Sequence, residues 1–262
     1  MEANLKLAER YIVKELIGEG SYGLIYKCKD RISGSFVAVK QARPSKGLGA
    51  TGLLEREADI LRTVRHPQIP EYLDLFKAKN GTFLVMSFLS GDTFEDLIFD
   101  QGQRLAEEDC VRYTLKLLEL VEHIHSKGIV HLDLRIPNVL VNDGRLHLID
   151  FGLARRIGEP PPRVPPPGKG FRLKRQSPAQ FKAAEIQADL VDIGHFMLFL
   201  LYSSYEPDNT AAGGTSGRSW REELDLSKEL RTILERLLKL RQPYSSLSLL
   251  KEDLCRLKFS PG

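Results

Sequence analysis

The sequence predicts an α+β fold of two lobes, a β-rich lobe over residues 1–88 and a mostly helical lobe over residues 92–262. Apolar residues alternate along residues 11–40, which is the period of β-strands. Later in the chain the period becomes that of helices, most clearly over residues 107–126. We expect a hinge near residues 87–91 and a ligand cleft between the lobes, because clefts of this kind are common binding sites.

Local signals predict the other elements. Two strand-like runs, residues 72–77 and 82–88, flank Asn80-Gly81, which is a typical hairpin turn. Residues 46–52 are glycine-rich and are predicted to form a loop that leads into a helix. The second lobe should also contain short strands at 139–141 and 146–149, a helix at 189–203, a flexible loop at 206–219 and a helical C-terminal part.

Composition limits the classes of function. The chain has 262 residues, and its net charge of +3 gives no support for a nucleic-acid or membrane partner. Three cysteines without a C-x-x-C pair indicate reduced thiols in the cytoplasm rather than a zinc site or disulfides. Residues 1–10 lack the apolar run of a signal peptide, and the most apolar stretch, residues 193–202, is too short to span a bilayer.

A glycine-rich string, G-x-G-x-x-G, occupies residues 18–23. Such a string is a weak signal alone, and a dinucleotide-binding fold would need a helix directly after it. A strand-like run, residues 24–27, follows instead, and Lys40 ends the string V-A-V-K on the next strand. A strand lysine facing a glycine-rich flap suits the phosphates of a nucleotide, and Glu55 and Glu57 are the candidate counter-ions.

The strongest signal is H-L-D-L-R-I-P-N at residues 131–138, followed by D-F-G at residues 150–152. With these motifs, the V-A-V-K string and the H-P-x-I turn at residues 66–69, the sequence resembles the eukaryotic-type protein kinase family. Within that family it is most similar to a small bacterial-style Ser/Thr kinase. The resemblance covers about residues 11–257 and implies a bilobal kinase fold, one kinase domain over residues 1–262 and an ATP cleft between the lobes.

The resemblance also implies roles for individual residues. Asp133 would accept the proton of the substrate hydroxyl, and Arg135 would contact the γ-phosphate. Lys40 would bind the α- and β-phosphates and pair with Glu57. Two further sets are implied: the magnesium ligands Asn138 and Asp150, and the ATP-binding residues Gly18, Gly20, Gly23, Ile25, Ala38, Lys40, Met86, Ser87, Leu89 and Leu140.

The sequence departs from the family pattern in three places. Leu132 replaces the arginine of H-R-D, which commonly reads a phosphate on the activation segment. Residues 150–176 contain no Ser, Thr or Tyr, so we predict that activity does not depend on phosphorylation of that segment. The A-P-E motif is reduced to S-P-A at residues 177–179, and Ser246 stands where its partner arginine would be.

The sequence is compatible with several alternatives. A pseudokinase scaffold would bind nucleotide without transfer, and a small-molecule kinase could use the same fold; Ser/Thr is favoured over Tyr as the accepting hydroxyl. The segment 155–175 carries seven basic residues and one acid, and it includes Pro162-x-x-Pro165. It is interpreted as a stiff, solvated loop. The alternatives are that the proline run docks a partner domain and that the basic cluster attracts acidic substrates or anionic polymers.

Overall fold

The computed structural model describes five stretches of the chain, residues 6–19, 23–42, 47–161, 182–206 and 219–259. The chain divides into two compact units. The first unit comprises Met1–Ser90 and His147–Ala154, and the second comprises Gly91–Leu146 and Arg155–Gly262. The short segment that contains D-F-G therefore packs with the N-terminal part of the chain rather than with its sequence neighbours.

The first unit contains an antiparallel sheet of six strands in the order β1-β2-β3-β4-β6-β5. The central strand β4 buries four consecutive residues, Val37 to Lys40, and both its neighbours are hydrogen-bonded strands. Tyr11, Phe76 and Phe83 stack on one another against the sheet, with ring centroids 5.7 and 5.0 Å apart. The strands are β1 Lys6–Leu7, β2 Tyr11–Glu19, β3 Gly23–Asp30, β4 Phe36–Ala42, β5 Tyr72–Ala78 and β6 Gly81–Ser87.

Helix α1 spans Gly47–Thr63, so the predicted loop at residues 46–52 is wrong for most of its length. Glycine in a helix costs about 1 kcal/mol relative to alanine, which is why the sequence favoured a loop there. The apolar stripe of the helix explains the difference. Ala50 lies one turn before Leu54 and both are buried, so the added turn gains tertiary contacts that outweigh helix propensity.

The second unit is mostly helical. Helix α2 has the predicted bounds, Glu107–Ser126, and Gly128 ends it by donating its backbone N–H to the His125 carbonyl at 2.9 Å. Gly128 adopts φ of 72°, a conformation that glycine accepts without strain. The other helices are α3 Ile186–Tyr202, α4 Trp220–Glu223, α5 Lys228–Leu237 and α6 Leu247–Cys255.

Short strands and turns carry the polar residues of interest. Strands β7 and β9 pair antiparallel, as do β8 and β11. A 3-10 turn, Ile136–Asn138, leads into β9, and a second one, Phe151–Leu153, follows the end of β10. The strands are β7 Asp92–Thr93, β8 Ile129–Val130, β9 Val139–Asn142, β10 Arg145–Leu148 and β11 Arg155–Arg156.

The antiparallel sheet and the separate set of helices confirm the predicted α+β class. Most of the predicted loop at residues 206–219 lies outside the described residues. Over the five described stretches, no helix combines the length and apolar character that crossing a bilayer requires.

Candidate active site

Lys40 is the centre of a buried ion cluster in the first unit. Its Nζ lies 2.7 Å from Glu57 Oε2, 2.8 Å from Glu57 Oε1 and 2.8 Å from Asp150 Oδ1. Strand β4 supplies the lysine and α1 supplies Glu57, whereas Glu55 pairs with Lys77 at 3.1 Å. Of the two candidate counter-ions, Glu57, which the family resemblance implied, is the one that lies beside Lys40.

The charges of this cluster are unequally exposed. The side chains of Lys40 and Glu57 are 4% and 3% exposed, and that of Asp150 is 28% exposed. Burial disfavours the ammonium ion, but the charges and hydrogen bonds of Asp150 and Glu57 outweigh it and raise the pKa of Lys40. Burial raises the pKa of Glu57, partly against the attraction of Lys40. The cluster carries one net negative charge, and its solvent-accessible member is Asp150.

The backbone of the D-F-G segment brings Asp150 to this position. Asp150 has φ of 60°, and its side chain accepts a hydrogen bond from Gly152 N at 3.2 Å. A Cβ atom on Gly152 would lie 3.1 Å from Asp150 Oδ1 and 3.2 Å from Lys40 Nζ. Glycine at position 152 therefore permits the close packing of the ion cluster.

The predicted ATP-binding residues of the first unit lie on neighbouring strands. Ile25 is in register with Lys40, and Ala38 is in register with Met86. Ser87 ends β6, donating its N–H to the Glu71 carbonyl at 2.9 Å. The rest of the set divides in three: Gly18, Gly23 and Leu89 are described in the first unit, Leu140 lies on β9 in the second, and Gly20 lies outside the described residues.

The second unit holds Asp133 in a small polar network. Asn138 Nδ2 donates to both the backbone oxygen and Oδ2 of Asp133, each at 2.9 Å. Arg135 Nε lies 3.1 Å from Asp133 Oδ1, with the arginine side chain 59% exposed. Pro137 in the intervening 3-10 turn brings residues 133 and 138 together. Because the amide nitrogen of Asn138 is bonded to Asp133, its amide oxygen is the atom suited to a cation.

The backbone before Asp133 is held by the buried carboxylate of Asp189. Asp189 accepts from His131 N at 2.9 Å and from Leu132 N at 2.7 Å, and His125 Nε2 lies 2.7 Å from Asp189 Oδ2. His131 is fully buried, in agreement with the core position expected for it. The string D-x-x-D-x-G at residues 189–194 is the sequence signal that could have found this support.

Two basic residues were not predicted to take part. Arg155 was expected on a solvated loop but is only 2% exposed, because it lies in β11 and donates to the backbone oxygens of Lys182 and Glu159. Lys182 has no motif around it, yet its Nζ reaches the Leu132 carbonyl at 3.2 Å. Most of the proline-rich part of segment 155–175 lies outside the described residues.

The site residues thus form two groups. The first unit brings together Lys40, Glu57 and Asp150, and the second brings together Asp133, Arg135 and Asn138. An ion pair between a strand lysine and a helix glutamate, a D-F-G aspartate and an H-x-D loop define the phosphotransferase site of protein kinases.

The chain matches the family described as "Protein kinase domain" over residues 11–170, and it belongs to that family. It is 34% identical over 252 residues to "Probable serine/threonine-protein kinase YbdM" of Bacillus subtilis, covering 95% of this chain and 90% of that protein. It is 37% identical to "Cyclin-dependent kinase D-1" of Arabidopsis thaliana, covering 61% of this chain and 40% of that protein. The resemblance that the motifs indicated is therefore confirmed.

Proposed function

We propose that this kinase transfers the γ-phosphoryl group of Mg·ATP to serine or threonine hydroxyls of proteins, with the chain acting as one kinase domain. The observation that carries the proposal is the position of Lys40, within 2.8 Å of both Glu57 and Asp150. Protein kinases need this ion pair and the D-F-G aspartate in place together for transfer. The name of the Bacillus subtilis relative supports Ser/Thr as the accepting residues.

Each group of residues has a separate task in the proposed reaction. Lys40 orients the α- and β-phosphates, and the strands that carry Ile25 and Ala38 provide an apolar surface for the adenine. Asp133 accepts a hydrogen bond from the substrate hydroxyl and takes its proton as the phosphoryl group transfers. Asn138 donates to one oxygen of the Asp133 carboxylate and orients it. Arg135, predicted to contact the γ-phosphate, pairs with the other oxygen of Asp133 and would turn from it to the phosphate when ATP binds.

The predicted magnesium ligands have the right chemistry. Carboxylate and amide oxygens are hard donors of the kind that Mg²⁺ prefers, and Mg²⁺ in kinases is held partly by the phosphates. Within the described residues, no group of three or more His, Cys, Asp or Glu is arranged to hold a metal ion. Asp150 and Asn138 are the residues that would hold Mg²⁺, and the ion would neutralise charge on the phosphates.

We also propose that activity does not require phosphorylation of residues 150–176. Leu132 is fully buried and apolar, so it cannot bind a phosphate. Arg155 is buried and is engaged by two backbone oxygens. Phosphatase-treated enzyme and the Ser177→Ala variant should both retain the rate of the untreated enzyme; a phosphate required at Ser177 would refute this part of the proposal.

The first experiment measures transfer from γ-labelled Mg·ATP to a generic protein mixture and identifies the labelled amino acid. Label should appear on serine or threonine, and Asp133→Asn should lower the rate by roughly 10²–10⁴-fold because it removes the proton acceptor. Asp143→Asn is the matched control, since Asp143 lies on an exposed turn with φ of 48° and asparagine accepts that conformation.

Three outcomes would contradict the proposal in different ways. Nucleotide binding without transfer would indicate a pseudokinase. Label on a small molecule but on no protein would indicate a small-molecule kinase. Equal rates in Asp133→Asn and Asp143→Asn would remove Asp133 from its assigned role.

Location and partners follow from the same proposal. We place the reaction in the cytoplasm, supported by three free cysteines, Cys28, Cys110 and Cys255. Protein substrates are the expected partners. A partner domain bound to Pro162-x-x-Pro165 stays a prediction, because those prolines lie outside the described residues.

A further inference from the structure

Leu132 stands directly before Asp133 in an unfavourable backbone conformation. Its φ is 66°, in the left-handed region that branched, bulky residues avoid. A residue of this kind persists only where its surroundings fix it. Asp189 fixes one side, accepting the N–H groups of His131 and Leu132.

Lys182 fixes the other side of the same residue. Its Nζ donates to the Leu132 carbonyl at 3.2 Å and to Asp192 Oδ1 at 2.5 Å. The Asp192 side chain is 10% exposed, and its second oxygen has no hydrogen-bond partner among the described residues. Burial raises the pKa of Asp192, while the charge of Lys182 favours its ionised form. Lys182 thus links the Leu132 carbonyl to the Asp192 carboxylate.

Arg155 connects Lys182 to the strand that follows D-F-G. The Arg155 guanidinium donates to the backbone oxygens of Lys182 and Glu159. Close by, Gly158 N donates to the Ala184 carbonyl at 2.8 Å. Residues 155–159 and 182–184 are therefore joined to one another, and through Lys182 they are joined to the backbone beside Asp133.

We propose that Lys182 is a positioning residue for Asp133, bridging the Leu132 carbonyl and Asp192 so that the loop keeps its active conformation without a phosphate. The inference rests on the proposed function, because it assigns Asp133 the proton-accepting role. Arg155 and Lys182 lie at the two ends of residues 155–182, and their hydrogen bonds already join these ends to each other and to Leu132. No added anion is therefore needed to join them.

The test uses the full chain and separates positioning from folding. Lys182→Met alone would leave Asp192 buried without its cation, so the informative variant is Lys182→Met with Asp192→Asn, which leaves no orphan charge. Its kcat should fall by about 10–100-fold, the size expected for a lost charge-assisted hydrogen bond, with KM for ATP within about twofold of wild type. Lys182→Arg keeps the charge and the donors and should restore most of kcat.

Lys251→Met is the matched control. Lys251 is 38% exposed and pairs with Glu122 at 3.1 Å, comparable with the 31% exposure of Lys182. The kcat of Lys251→Met should equal that of wild type. A double variant at Lys182 and Asp192 with wild-type kcat would overturn the inference. A kcat of Lys182→Arg as low as that of the double variant would also overturn it.

Hydrogen exchange keeps the two proposals distinguishable. Amides of residues 129–134 should exchange faster in the double variant than in wild type or in Lys251→Met, because the backbone of Leu132 loses one of its anchors. If wild type transfers no phosphate, the proposed function fails, and this comparison still decides whether Lys182 holds the loop. Unchanged exchange at residues 129–134 would overturn the positioning role even in an active enzyme.

Discussion

Replacement of Lys40 by methionine should destabilise the chain in a way that depends on pH. Methionine keeps the apolar stem but removes the cation that pairs with both Glu57 and Asp150. Asp150 is 28% exposed and can be hydrated where it stands, whereas Glu57 is 3% exposed and cannot. Removing one partner of a buried ion pair costs about 3–5 kcal/mol. The free energy of unfolding at pH 7 should therefore fall by that amount unless Glu57 becomes neutral.

Glu57 becomes neutral by taking up a proton. A glutamate has an ordinary pKa of about 4.3, and protonating it costs about 1.4 kcal/mol for each pH unit above that value. Keeping Glu57 neutral therefore costs about 4 kcal/mol at pH 7 and about 1 kcal/mol at pH 5. In the variant, the folded chain holds a proton that the unfolded chain releases, so its stability falls as the pH rises. The destabilisation should therefore be about 3–4 kcal/mol at pH 7 and about 1 kcal/mol at pH 5.

Urea unfolding followed by far-UV circular dichroism at the two pH values measures this difference. Lys40→Met combined with Glu57→Gln carries no orphan carboxylate at position 57, so it should recover most of the stability at pH 7 and lose the pH dependence. Phosphate transfer should stay absent in both variants, because neither has the lysine that orients the phosphates. Lys40→Met as stable as wild type at pH 7, or an equal loss of unfolding free energy at both pH values, would refute this prediction.

Three further predictions concern stability. Asp30→Asn should lower the thermal midpoint at pH 7, because Arg10 holds the pKa of Asp30 below its usual range; the difference from wild type should shrink as the pH falls below about 4. Gly23→Ala should cost about 1–3 kcal/mol in urea unfolding, because its Cβ would overlap the Gln41 carbonyl oxygen across the β3–β4 pair. Gly52→Ala, in helix α1 with open space around it, should instead gain about 0.5–1 kcal/mol in the same assay.

The sequence predicts elements best where one signal dominates. Helix α2 has a regular apolar face and a glycine at its end, and its bounds are those observed. The start of α1 depends instead on burial of Ala50 beside Leu54, which no local propensity contains. The packing of residues 147–154 with the N-terminal part likewise rests on contacts distant in sequence, such as Leu148 N to the Gln68 carbonyl at 2.9 Å.

The same contrast holds for the site. Ordered motifs located Lys40, Asp133 and Asp150 because each lies in a short string with a recognisable spacing. Arg155 could not be found in this way, because a basic residue in a highly charged stretch reads as solvated. Its burial follows from the pairing of β11 with β8 and from the two carbonyls that it meets, neither of which leaves a pattern in the sequence.

The substitution at residue 246 shows how a departure from the family pattern can be accommodated. Ser246 caps α6 by accepting a hydrogen bond from Leu249 N, so it has a local task that needs no charge. The nearby charges pair among themselves: Arg236 donates to Asp253 at 2.7 Å and lies 3.7 Å from the centre of the Tyr244 ring. In the family pattern an arginine at position 246 would pair with the glutamate of A-P-E. This chain has Ser246 in place of the arginine, and its residues 177–179 contain no acid, so no buried acid is left there without a partner. The loss of the arginine and the loss of the glutamate are therefore physically consistent with each other. This favours a working variant of the kinase fold over a decayed one.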